Sequence, residues 1–105
     1  MVKFIRPMVM VPLLLGFAAA AMGAAADGKA LFARHCAGCH YGGGNLINPA
    51  KPLTRLHRQA NGIRTSGDLV SKMRRGGAGM PRFSARQISE PDAQAIADYI
   101  IRTFD

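Results

Sequence analysis

Cys36-Ala37-Gly38-Cys39-His40 is the stretch on which the reading of this chain turns. The order is C-x-x-C-H, the signature of covalent haem attachment. Two thiols three positions apart can add to the two vinyl groups of one porphyrin as thioethers. The imidazole that follows them is then placed against one face of the ring, where it can ligate the iron. Other uses of the same residues fit less well. A zinc site takes four ligands, commonly from two separated pairs, and Cys36 and Cys39 are the only cysteines in the sequence. His35, His40 and His57 could make up the number, but without finger-like spacing. A thioredoxin-type pair sits in a βαβ pattern, and no strand run is visible. A plain structural disulfide leaves His40, directly after Cys39, without a purpose.

Upstream of the motif the chain opens with Lys3 and Arg6, runs apolar from about Met8 to Ala21, and reaches Met22-Gly23-Ala24-Ala25-Ala26. That is the basic, apolar and small-residue order of a secretory signal peptide. The apolar run falls short of the roughly 20 residues that span a bilayer. The expected division is a signal peptide over residues 1–26, cleaved after Ala26, and one domain over 27–105, exported to the periplasm. Removing the first 26 of 105 residues leaves 79. A chain of that size is marginal as a self-sufficient core. A large buried apolar cofactor would enlarge the core, so folding and cofactor are expected to be coupled.

The formal charge of the full chain is +8, and without Lys3 and Arg6 it becomes +6. A basic balance can signal nucleic acid, but export argues against it. An acidic redox partner, or anionic lipid, suits the charge better.

Downstream, Asp27 is placed to cap a first helix from Gly28 to about Cys36, with Gly28, Leu31, Phe32 and His35 on one face. Tyr41 to Lys51 reads as loop. Its Gly42-Gly43-Gly44 run lacks the Lys-Ser/Thr pair of a phosphate loop and is expected to bring backbone close to a flat ring. A carbonyl of this loop, that of Pro49 among them, could accept the Nδ1–H of His40 and fix its tautomer. Pro52 to Ala60 predicts a short helix with Leu53, Leu56 and Ala60 inward and Asn61-Gly62 at its end. Ser66 is expected to cap the next helix, with Leu69, Val70 and Met73 inward, Lys72, Arg74 and Arg75 in its last turn and Gly76-Gly77 as its stop. Ser89 and Pro91 open the last helix. There Ala93, Ile96, Ala97, Ile100, Ile101 and Phe104 recur with the clearest helical period in the chain, and Asp98 and Arg102 form an i,i+4 pair.

If His40 takes one axial position of an iron, two methionines downstream of the leader compete for the other. Met73 sits on the apolar face of a helix, where methionine is ordinarily core filler. Met80 lies in a loop, Gly76-Gly77-Ala78-Gly79-Met80-Pro81-Arg82-Phe83, with no helical face to serve. A thioether there favours ferrous iron and raises the potential relative to two imidazoles. His57 is the remaining alternative.

The region from residue 27 onward resembles a small class I cytochrome c, nearest the cytochrome c6 and c553 type. The match is carried by Gly28-Lys29-Ala30-Leu31-Phe32, Cys36-Ala37-Gly38-Cys39-His40, Gly43-Gly44-Asn45, the Met80-Pro81 loop and Ile96-Ala97-Asp98-Tyr99-Ile100. The resemblance implies an all-α fold, a small cytochrome c fold wrapped around one covalently attached haem c. Cys36 and Cys39 would hold the haem, with His40 and Met80 as axial iron ligands. The family's histidine ligand donates to a loop proline carbonyl, and Pro49 is the nearest match. First and last helices cross closely in that family, at places matched by Gly28, Phe32 and Tyr99. The implied function is a monomeric periplasmic one-electron carrier between redox proteins, with Lys51, Lys72, Arg74, Arg75 and Arg82 as candidates for a docking rim. No paired carboxylates or nucleophile–base set points to an enzyme. Two other readings are a haem-based gas or ligand sensor, and an electron-transfer subunit of a larger oxidoreductase.

Overall fold

The computed structural model describes residues 2–5, 7–10 and 26–105, and the greater part of the leader read from the sequence lies outside them. Five α-helices follow: α1 (Gly28–His35), α2 (Ala37–His40), α3 (Arg55–Ala60), α4 (Ser66–Arg75) and α5 (Glu90–Thr103). A 3-10 turn at Tyr41–Gly43 continues from α2. Among the described residues there is no strand, only an isolated bridge between Gly77 and Met80. None of these helices is long and apolar enough to cross a membrane.

The core lies where α1 and α4 pack on α5. It is built from Phe32, Leu69, Val70, Met73, Ile88, Ala93, Ile96, Ala97 and Ile100. The α1–α5 crossing is close because Gly28 faces the backbone of α5. A Cβ at Gly28 would collide with the Ala95 carbonyl and come within 3.0 Å of the Tyr99 Cβ. Without that atom the helices approach until Phe32 meets Tyr99 at a ring-centroid distance of 5.3 Å and Phe104 at 5.4 Å. Tilted aromatic contacts of this kind add to the area they bury.

The caps explain where the helices begin. Asp27 accepts from the Ala30 N–H and Ser89 from the Asp92 N–H, as their positions in the sequence predict. The α4 cap is Thr65 and not Ser66. The Thr65 hydroxyl accepts from the Asp68 N–H, while Asp68 accepts from the N–H groups of Thr65 and Arg64. An acid three residues after the cap closes this reciprocal box, and Asp68 stands at that distance from Thr65. Those two N–H bonds hold the Asp68 carboxyl below the usual carboxylate range.

The short α3 departs most from its pattern. It begins at Arg55 instead of Pro52, and Leu56 and Ala60, expected inward, are exposed. Arg58 is the buried residue of this helix. Six residues make fewer than two turns, too few for an apolar stripe to fix the orientation. Bonds from Arg58 to the Leu53 carbonyl and, across the chain, to the Phe104 carbonyl fix it instead. In α5 the buried face matches its period, except that Ile101 is on the exposed side. Asp98 accepts from Gln94 Nε2 at 3.0 Å, so its partner lies one turn back instead of at Arg102.

Candidate haem site

The chain turns sharply at the attachment motif. Cys36 caps α1, with its N–H donating to the Phe32 carbonyl. Its own carbonyl accepts from Cys39 and His40, at 3.1 and 2.8 Å, which closes α2 as a single turn. That turn brings Cys36, Cys39 and His40 to the wall of one cavity of about 330 Å³. Both thiols are free and half-buried. Burial pushes the Cys36 thiol up to about 11, so it stays neutral as a thiol.

His40 Nδ1 donates to the Gly44 carbonyl at 2.8 Å. The expected acceptor was Pro49, and the structure corrects it. The 3-10 turn folds the backbone back within four residues of His40, and Gly44 N–H donates to Tyr41 O at 3.1 Å. Pro49 sits farther along, in a turn that Asn45 closes by accepting from Asn48 N–H and donating to the Lys51 carbonyl. Any carbonyl acceptor at Nδ1 has the same chemical effect. It places the proton there and leaves the Nε2 lone pair for a metal.

The glycine run does abut a flat ring, and the ring belongs to the protein. A Cβ at Gly43 would lie 2.5 Å from the Phe104 ring, and the residue's φ of 82° is itself a glycine conformation. So Gly43 seats the end of α5 against the loop that follows His40.

Met80 reaches the same cavity from the other side of the sequence. Gly77 and Met80 exchange backbone hydrogen bonds of 3.1 and 3.0 Å, a tight turn that presents Met80 half-buried at the cavity wall. The segment after it is anchored twice. Phe83 N–H donates to the Met73 carbonyl at 2.9 Å. Arg74 donates to the carbonyls of Phe83 and Ile88 and pairs with Glu90. Arg74 therefore braces the Met80 loop and drops out of the proposed docking rim. Lys72 is also engaged, with the Gly76 carbonyl at 3.0 Å, whereas Lys51, Arg75 and Arg82 are exposed. Met73 is 4% exposed and belongs to the core cluster while bordering the cavity. His57 also lines the cavity, its Nδ1 paired with the Thr54 hydroxyl at 2.7 Å.

The cavity is lined by two thiols (Cys36, Cys39), three imidazoles (His35, His40, His57) and two thioethers (Met73, Met80), and walled by Leu53, Ile63, Leu69, Phe83 and Ile100; of the thioethers, Met73 is 4% exposed in the core. That donor set fits a haem held covalently and ligated by nitrogen and sulfur, in an apolar cradle. All four candidate donors named from the sequence line this cavity. Sequence reasoning missed Arg58 as a wall residue because arginine is rarely buried and no spacing marks this one.

A family model described as "Cytochrome C oxidase, cbb3-type, subunit III" matches residues 23–100. Cytochrome c6 of Synechocystis sp. is 42% identical over 76 residues, 72% of this chain and 62% of that protein. This chain therefore spans less than two thirds of that relative's length. Cytochrome c6 of Leptolyngbya boryana is 40% identical over 78 residues, 74% of this chain and 89% of that one. Among solved structures, OmcF, an outer membrane cytochrome of Geobacter sulfurreducens, is 47% identical. It superposes with a TM-score of 0.73 over 74% of this chain and 99% of its own. The chain belongs to the class I c-type cytochromes, nearest the cytochrome c6 type. Its helical architecture is the small cytochrome c fold, and its cofactor is one covalently attached haem c.

Proposed function

We propose that residues 27–105, freed of a signal peptide at 1–26, act in the periplasm as a one-electron carrier between redox proteins. The observation that carries this reading is the convergence of Cys36, Cys39, His40 and Met80 on one cavity. Cys36 and Cys39 would hold the haem as thioethers, and His40 Nε2 and Met80 Sδ would ligate its iron. Haem c supplies a single iron that accepts and returns one electron. The hydrogen bond from His40 to the Gly44 carbonyl keeps the imidazole in the ligating tautomer and fixes its plane. Met80, a soft neutral donor, favours the ferrous state and raises the potential. Leu53, Ile63, Leu69, Phe83 and Ile100 would shield a bound haem from water, which would lower the reorganisation that accompanies each transfer.

The charge of the wall supports an acidic partner. Lys51, Lys72 and Arg75 line the cavity, and among the described residues no Asp or Glu does. Association is then expected to slow as salt rises, the Debye length shrinking to about 3 Å at 1 M. Rates that ignore ionic strength would point to apolar docking.

Met80→Ala tests the assignment. The ferric wild type is expected to show the weak near-infrared charge-transfer band of a sulfur–iron bond. The variant is expected to lose it, to fall in potential and to bind carbon monoxide or cyanide. An unchanged band and potential would move the sixth ligand elsewhere, to His57 first.

The family model's description favours a second reading, an electron-transfer subunit of an oxidase. A purified protein that is monomeric and fully haem-loaded supports the free carrier, and stable co-purification with larger subunits supports the complex.

A further inference from the structure

The cations around the cavity are not equivalent. Lys51 and Arg75 are exposed and Lys72 is half-buried, but Arg58 is 7% exposed, the one buried charged side chain among the described residues. Its Nη1 donates to the carbonyl of Leu53 and, at 2.7 Å, to that of Phe104. Both acceptors are neutral. The ion pairs among the described residues join Arg55 to Asp105 and Arg74 to Glu90, so no carboxylate there pairs with Arg58. Burial pushes the Arg58 guanidinium below its ordinary value, and the field of Asp105 opposes that push. Asp105 itself is exposed and already paired with Arg55.

A guanidinium has five N–H donors, and Nη1 accounts for two of them. No side-chain nitrogen here is both buried and without a partner. Among the described residues Nε and Nη2 make no hydrogen bond, so they retain access to open space. For a residue this enclosed, that space is the cavity it lines. A buried cation without an anion is costly, and a bidentate carboxylate is the partner its planar fork matches best.

We propose that Arg58 is the counter-ion of a haem propionate, held by the Leu53 and Phe104 carbonyls so that its free N–H groups meet that carboxylate. The proposal rests on the carrier reading above and adds a positioning residue to it. One side chain then ties the loop before α3, the end of α5 and the cofactor together. A fixed positive charge at the wall also favours the electron-rich ferrous state.

The test uses holoprotein with Arg58→Gln, Arg58→Lys and Asp105→Asn, read by covalent haem content, the sulfur–iron band and redox titration. Arg58→Gln is expected to keep haem and band while the ferrous-to-ferric ratio at fixed poise falls about tenfold, about 59 mV for a one-electron couple. Arg58→Lys should recover most of that shift, and Asp105→Asn should leave the potential unmoved. A wild-type potential in haem-loaded Arg58→Gln overturns the proposal, as does an Asp105→Asn variant that reproduces its loss. Should Arg58→Gln not fold, the redox-difference infrared spectra of wild type and Arg58→Lys decide. A shifted propionate carboxylate stretch supports the pairing, and an unshifted one overturns it. Absence of covalent haem from the wild type would instead sink the carrier reading itself.

Discussion

The α1–α5 crossing and the cavity wall are built on different principles. At the crossing the protein meets only itself. Gly28 admits the Ala95 backbone, Phe32 packs on Tyr99 and Phe104, and Ile96 and Ala97 are fully buried. The cavity wall consists of segments held by a few backbone bonds, among them Leu46 to Cys39, Leu53 to Gly43 and the Gly77–Met80 turn. The short α3 packs on no other helix to the extent that α1 and α4 pack on α5. Apolar side chains on that wall face a cavity where a core would have neighbours. The crossing is a finished core, and the wall, on the proposed reading, is half of one that the haem would complete.

The largest effect is expected when the haem is withheld. Cys39→Ser should weaken or abolish stable attachment, read by acid-acetone extraction. The haem-free chain should lose most of its helical circular dichroism, because the crossing alone is too small to hold residues 27–105, a stretch of 79 (105 less 26). A fully helical, cooperatively melting apoprotein would show that the crossing suffices. Next in size is damage to the crossing itself. Phe32→Ala in the holoprotein should cost about 3–5 kcal/mol by denaturant titration and leave the sulfur–iron band in place. Loss of the band would mean that the two regions are not separable.

Met73 sharpens the boundary, since it belongs to the core and borders the cavity. Met73→Ala should cost about 2–5 kcal/mol and keep the band, whereas Met80→Ala should remove the band. The smallest effect is expected at Asp68, far from both contacts in kind. Its carboxyl titrates below the ordinary value in the folded chain. Its contribution is therefore present above its unfolded pKa and is lost as pH falls through the lower, folded value. Asp68→Asn should lower stability at neutral pH and flatten the acid limb below about pH 4, with no change in the haem spectrum. An acid limb identical to wild type would remove the Thr65–Asp68 box from the account.

The four candidate donors were legible because each is marked by local order. Two thiols and an imidazole share one turn, and a methionine stands among glycines with no helical face to fill. The long α5 was legible for a similar reason, since fourteen residues repeat the pattern enough to fix a face. The six-residue α3 does not, and there the sequence pointed to Leu56 where the fold buries Arg58. The acceptor for His40 was misplaced at Pro49 because a turn's closure depends on φ and ψ. Gly42 and Gly43 both take positive φ, and that curls the chain until Gly44 is near enough. Cap choice at Thr65 over Ser66 likewise followed from which hydroxyl stood three residues before Asp68.

By itself, then, the sequence determined the cofactor and which residues are candidates to attach and ligate it, because covalent chemistry and ligand type are properties of residues and their spacing. The tertiary structure decided which ring the glycine run packs against, which carbonyl orients His40, that Arg74 braces the Met80 loop, and that a lone buried arginine faces the haem cavity. Those depend on contacts between residues as distant as Arg58 and Phe104, and no local pattern carries such contacts.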